Sequence, residues 1–265
     1  GPGILFDGRS NFAGPPVFYV SCESHLAWLK IAHQVGIGRS AARMIETDGN
    51  GRMRPDSLAA AIQHDRGQGC IPVMIAATAG TTGAGAIDPL VPCAKIAREA
   101  GLWYHVDAAW GGALIASDRL RHRLEGIERA DSITIDAHKW LAATMGCGMF
   151  ITKRASQLPE VFGVTAGFMP PSGAPNSDPY TSTLQWSRRF LGLRLFMSLA
   201  AAGWAGYGAH VERTIALGAL LADALTARGW RIANEPSLGV VCAEPPAGGS
   251  TREIVRRVVA SGQAW

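Results

Sequence analysis

Six short apolar runs recur along the chain, with helical patterns between them, and this alternation leaves few architectures open. The runs are Val17–Ser21, Arg43–Glu46, Pro72–Thr78, Trp103–Ala108, Ser132–Asp136 and Gly148–Thr152. The helical patterns include Ser24–Val35, Pro55–Asp65, Pro89–Ala100, Leu184–Ala202 and Val211–Arg228. Nearly continuous apolar strands separated by amphipathic helices imply an α/β fold, a mostly parallel sheet covered on both faces. Pro55 and Pro89 stand where a first-turn proline is tolerated, each beside an aspartate, and mark helix starts. Residues 159–181 break the rhythm. They are rich in Pro, Gly and Ser without any period, and a loop of that length inside a domain is usually functional. Beyond Arg228, "GWRIANE" and "LGVVCAE" read as two short strands and "STREIVRRVVASG" as a helix. The expected division is therefore a large domain over 1–208, and a connecting helix with the start of a small α+β domain over 209–265.

Composition removes several classes of function. The basic residues behind the net charge of +4 are scattered, with no basic block or aromatic–basic interleaving, so nucleic acid is not an expected partner. The longest uncharged apolar stretch, Leu195–Ala209, is shorter than the ~20 residues of a spanning helix and reads as a core helix rather than a membrane segment. Cys22, Cys70, Cys93, Cys147 and Cys242 lie far apart, with no C-x-x-C. An odd, dispersed set suits reduced thiols in a cytoplasm rather than a disulfide frame or a zinc site. No signal peptide is visible. Both ends of the chain read as cut, as in a segment of a longer protein.

In a parallel sheet, ligands gather at the carboxyl ends of the strands. Those ends supply Ser21 to His25, then Thr78 to Thr82, then Asp107 and Ala109, and finally Asp136, His138 and Lys139 in "SITIDAHKWL". Lysine is scarce here, occurring only at 30, 95, 139 and 153, so a lysine delivered to a strand end calls for a reason. An amine shielded from water forms a Schiff base with a carbonyl. A carboxylate opposite a pyridine nitrogen keeps that nitrogen protonated and turns the ring into an electron sink. Together they make the pyridoxal phosphate arrangement, with the imidazole of His25 placed to stack on the ring.

The residues also resemble a known family. "HVDAAWGG" (105–112) and "DAHKWL" (136–141) are similar to the group II pyridoxal-phosphate-dependent amino acid decarboxylases, which include aromatic L-amino acid, glutamate and diaminobutyrate decarboxylases. "SCESHLAWLKIA" (21–32), "TDGNGRMRPDSL" (47–58), "ATAGTTGAGAIDP" (77–89) and "LQWSRRFLGLRLF" (184–196) fit the same family in order. The resemblance implies the type I pyridoxal phosphate fold, aspartate aminotransferase-like. It implies that Lys139 forms the Schiff base, Asp107 pairs with the pyridinium, His25 stacks on the ring and Ala109 packs on its other face. Thr82 would contact the cofactor, His138 would lie near the phosphate, and Asp136 would contribute to the phosphate environment. Residues 159–181 match the family's catalytic loop, in which Tyr180 is the candidate proton donor. The implied partners are an amino acid substrate, expected to be aromatic, and a second copy of the chain in a homodimer. One departure is clear: the Ser/Thr/Gly-rich turn that cradles phosphate in the family is not found before His25.

Other readings stand beside these. Asp107 alone fits a helix N-cap, His25 fits a plain helix start, and Thr81 and Thr82 fit ordinary turn hydroxyls. His105 reads as a packed core histidine. "AGTTGAG" (79–85) lacks the G-x-G-x-x-G order of a dinucleotide site, which excludes a nicotinamide reading. The favoured activity is decarboxylation of an L-amino acid to the amine and carbon dioxide. A pyridoxal-phosphate-dependent aldehyde synthase, or a catalytically silent domain, are the alternatives.

Overall fold

The computed structural model of the chain describes residues 7–164 and 178–262. Strands β1 (Pro16–Ser21), β2 (Ala42–Ile45), β3 (Ile71–Thr78), β4 (Trp103–Asp107), β5 (Ser132–Asp136) and β6 (Gly148–Thr152) form one sheet in the order β2-β1-β3-β4-β5-β6. The pairings among β1 to β5 are parallel, and β6 returns antiparallel along β5. All six apolar runs are strands, with ends within a residue of those expected.

The reason is clearest in β1, whose six residues are all buried. Val17 and Tyr19 face the larger core with Leu58, Ile62, Ile75 and Leu90. Phe18 and Val20 face a second cluster with Ala32, Ala42 and Ala76, against which Trp28 and Leu29 pack. Side chains alternate across a strand, so a continuous apolar run is what a strand covered on both faces needs. Burying each large side chain contributes roughly 1.5–3 kcal/mol.

Helices α1 (Ala27–Gln34), α2 (Pro55–Gly67) and α3 (Leu90–Ala100) lie between the strands. α1 starts three residues later than Ser24, because the side chains before it are tied into a turn. Ser24 Oγ bonds Thr78 Oγ1 at 2.8 Å, and His25 Nδ1 accepts the Ala27 N–H at 3.1 Å. α2 is locked to the sheet through Asp65, which is 4% exposed. Its carboxylate accepts Tyr19 Oη–H at 3.0 Å and takes both Nε and Nη2 of Arg43, the latter at 2.8 Å.

After α4 (Gln157–Phe162) the structure corrects one sequence expectation, the start of the next helix. Part of the expected loop, residues 165–177, lies outside the described residues. The helix expected from Leu184 begins instead at Gly192 and continues to Thr226 as α5, broken at Gly203, whose φ of 68° lies outside the helical region. The stretch before it is held in turns: Tyr180 stacks on Trp186 at 5.2 Å, and Thr183 Oγ1 donates to Pro179 O and Gln185 O. Hydroxyl bonds of this kind compete with helix formation. The expected division at 208/209 falls inside α5, where Tyr207, Gly208 and Val211 are buried. Beyond it come β7 (Arg231–Ile232), β8 (Ala243–Glu244) and α6 (Thr251–Ala260). Among the described residues, no helix is long and apolar enough to cross a membrane.

Asp65→Ala strands a buried phenol and a guanidinium together. It should destabilise the chain by roughly 2–4 kcal/mol, read as a lowered urea midpoint. An unchanged midpoint would show that Asp65 does not hold α2 to the sheet.

Candidate active site

The chain leaves β1, lays β2 on one side of it, then returns to place β3 on the other. Such a reversal opens a crevice at the carboxyl ends of the two strands. A cavity of 340 Å³ lies there. His25, from the turn after β1, lines it together with Thr78, Gly80, Thr81 and Thr82 at the end of β3. Asp107, Ala109 and Trp110 enter from β4, and Lys139 from the turn after β5. A larger groove of 550 Å³ opens at the opposite ends of β4 and β5, among Arg98, Arg129 and Arg154, and holds none of these groups.

Each side chain is set by its local structure. His25 Nδ1 accepts a backbone N–H, so in the neutral ring the proton sits on Nε2. Asp107 ends β4, its Oδ1 accepting the Ala109 N–H at 3.2 Å while its carbonyl accepts the Ala79 N–H. Ala109 is in turn tied to β5, its carbonyl accepting the Asp136 N–H at 3.2 Å. Gly111 and Gly112 follow Trp110 because nothing larger fits. A Cβ on Gly111 would lie 2.4 Å from Ala79 O, and one on Gly112 would lie 2.7 Å from Ile135. Trp110 stacks on Trp140 at 5.0 Å and 11°.

Lys139 is 38% exposed, and its Nζ lies 2.9 Å from Asp136 Oδ2. Asp136 is thus placed as the lysine's ion partner, and Gly148 leaves room for its carboxylate. His138 Nδ1 donates to Cys147 O at 3.0 Å, and its Nε2 is 3.9 Å from Asp136. His138 and Asp136 flank Lys139 without lining the cavity. Tyr180 lies on the 3-10 turn Pro179–Thr181 against Trp186, also away from the lining. His105 lies beneath the strand ends, bonded to Ser132 Oγ at 2.8 Å, and burial lowers its pKa. The structure therefore brings Lys139, Asp107, His25, Ala109 and Thr82 around one cavity. It places Asp136 and His138 at its edge and Tyr180 elsewhere.

One residue gave no functional signal in sequence. Asp88 reads as part of a helix start, but α3 begins after Pro89 with no side-chain cap. Asp88 is 1% exposed and points inward. Its Oδ1 accepts the Met53 N–H and its Oδ2 the Thr78 N–H, both at 2.7 Å, while its own N–H donates to Thr78 O at 2.9 Å. The carboxylate pins the base of the loop 79–87 that carries Gly80, Thr81 and Thr82. Burial pushes its carboxyl up to about 6, with the Asp48 carboxylate adding to the rise and the two N–H bonds opposing it.

The family profile described as the pyridoxal-dependent decarboxylase conserved domain matches residues 8–244, and the chain belongs to that family. The acidic amino acid decarboxylase GADL1 of Mus musculus is 35% identical over 231 residues, which cover 85% of this chain and 42% of that protein. L-2,4-diaminobutyrate decarboxylase of Rhizobium meliloti is 37% identical over 230 residues, covering 85% of this chain and 46% of that protein. The crystal structure of Oryza sativa TDC with PLP and tryptamine superposes with a TM-score of 0.91 at 25% identity, over 100% of this chain and 58% of that one. The chain spans about half the length of the curated relatives it matches.

The donor set fits the cofactor of the family. One amine, one carboxylate and one imidazole converge on a cavity otherwise lined by hydroxyls, glycine and apolar groups.

Asp88 predicts a pH effect on folding. Its folded-state pKa lies above the ordinary 3.8, so its contribution to stability is fully present below about 3.8 and is lost as pH rises through about 6. Asp48, Cys93 and Tyr104 are the other titratable groups that interact with it, and the last two are neutral across this range. The stability of the parent minus that of Asp88→Asn, from urea melts, should fall between pH ~4 and ~6 and stay level above. A difference that climbs with pH would reject the assignment.

Proposed function

We propose that the cavity is the pyridoxal phosphate site of an enzyme that decarboxylates an L-amino acid, releasing carbon dioxide and leaving the amine. The observation that carries this reading is the convergence of Lys139 and Asp107, from neighbouring strand ends, on one cavity beside His25. Membership of the pyridoxal-dependent decarboxylase family supports it.

Pyridoxal phosphate, when bound, supplies an aldehyde that captures amines and a protonated ring that accepts the electron pair left as carbon dioxide departs. Lys139 provides the amine that holds the aldehyde between turnovers. Asp136, 2.9 Å from Nζ, holds the lysine in position. Asp107 would face the ring nitrogen and keep its proton in place, His25 and Ala109 would cover the ring, and Thr82 would contact it. His138 would lie on the phosphate side, whereas Asp136 would serve the lysine. The Nε2–H of His25 stands closer to hand than Tyr180 for returning a proton to the substrate Cα, since His25 lines the cavity and Tyr180 does not.

Ala109, Trp110 and Val240 give the cavity an apolar side, and among the described residues no arginine lines it. An acidic substrate calls for an arginine clamp, so an aromatic side chain is the finer reading. The name of the mouse relative points the other way. We also assign a homodimer, supported by large apolar side chains left in solvent at Leu184, Phe190, Phe196 and Trp204. Sedimentation should give twice the chain mass; a monomer at micromolar concentration removes that assignment.

Lys139→Ala should abolish the visible absorption of the lysine-linked cofactor and all turnover, with an unchanged far-UV circular dichroism spectrum. Retained absorption overturns the site. A panel of L-amino acids assayed for carbon dioxide release should favour tryptophan and tyrosine. Faster release from aspartate, cysteine sulfinate or 2,4-diaminobutyrate would refute the aromatic reading alone. Aldehyde and ammonia in place of amine would replace decarboxylation with the aldehyde synthase reaction.

A further inference from the structure

We infer that the peptide Asn234–Cys242, which joins β7 to β8, is a working wall of the cavity and that Asn234 is its positioning residue. The inference rests on the cavity being the pyridoxal phosphate site. Val240 is the lining residue contributed from the far end of the chain, about a hundred residues beyond Lys139.

The peptide is fixed at three levels. Leu238 is fully buried in the main core, and its carbonyl accepts Trp110 Nε1–H at 3.2 Å. Trp110 itself lines the cavity, so the peptide and the β4 end are joined directly. Asn234 is the second tie. Its Nδ2 donates to Ala84 O and to Val240 O, both at 2.8 Å, and its Oδ1 accepts the Cys242 N–H at 2.7 Å. Both amide hydrogens and the amide oxygen are engaged, and one side chain grips both the peptide that carries Val240 and the loop that carries Thr82. The third tie is close backbone approach. A Cβ on Gly85 would lie 3.2 Å from Val240 Cβ, and Cys242 Sγ sits 2.9 Å from Gly83 O.

Loop 79–87 is thus held at its base by Asp88 and at its tip by Asn234. Loosening the tip separates Val240 from Thr82 and widens the cavity on that side. The nearby Arg231–Glu244 pair lies outside this peptide and is exposed on both sides, and pairs of that kind contribute little, so it provides a neighbouring control.

Three variants in the full-length protein test this by titration of cofactor-free protein with pyridoxal phosphate, followed by absorption and tryptophan fluorescence. Asn234→Asp keeps the shape but removes both N–H donors and sets an anion against two carbonyl oxygens. It should bind about tenfold more weakly and should raise KM more than it lowers kcat, a split that general loss of stability does not produce. Val240→Phe leaves every hydrogen bond in place and crowds the same side; it should weaken binding similarly, and it carries the test if Asn234→Asp does not fold. Glu244→Gln should match the parent. Folded Asn234→Asp or Val240→Phe protein that binds within about twofold of the parent overturns the wall. A parent that takes up no cofactor, or a Lys139→Ala variant that still develops the absorption, overturns the site beneath it.

Discussion

The strand ends around the cavity hang from the pairing of β1 with β3. These two strands sit side by side, with Val20 opposite Ala76, and both of those residues are fully buried. A slip of one residue would exchange Tyr19 with Phe18 between the two faces and break both clusters at once. The register is therefore fixed by packing, and the strand ends inherit that precision. The Ser24–Thr78 hydroxyl pair carries it from β3 to the turn before His25. The Ala79–Asp107 bond carries it to β4, and the Ala109–Asp136 bond to β5. Four strand ends thus share one frame.

Three carboxylates near this frame live in different surroundings, and their surroundings set what they can do. Asp107 opens onto the cavity with a single backbone donor behind it. Asp136 has a cation beside it. Asp88 is sealed in the core with two amide donors and no cation, and its acidity is weakened accordingly. The first suits a charged ring nitrogen, the second steadies an amine, and the third is architectural.

Much of this was legible in the sequence, for a physical reason. Strands covered on both faces demand continuous apolar runs, and the chain shows them; ligand groups must then cluster where those runs end. His25, Asp107 and Lys139 could be gathered on that logic before any coordinate. What depends on distant packing could not. Asp88 looks like a helix-start aspartate until the backbone of Met53, thirty-five residues upstream, is brought to its carboxylate. Asn234 meets Ala84 across 150 residues, and no local pattern encodes that meeting. The start of α5 was misplaced because hydroxyl bonds and a ring stack outcompete a helical period around residues 184–191.

The sheet also has an unguarded flank. β6 bonds only to β5 among the described strands and presents Phe150 and Ile151 with about half their surface in water. Its outer row of amides and carbonyls forms a template onto which a further extended segment can add. A solution of this polypeptide carries the hazard of chains zipping flank to flank into insoluble ribbons, and whatever covers that margin in the cell also protects the fold from its own kind.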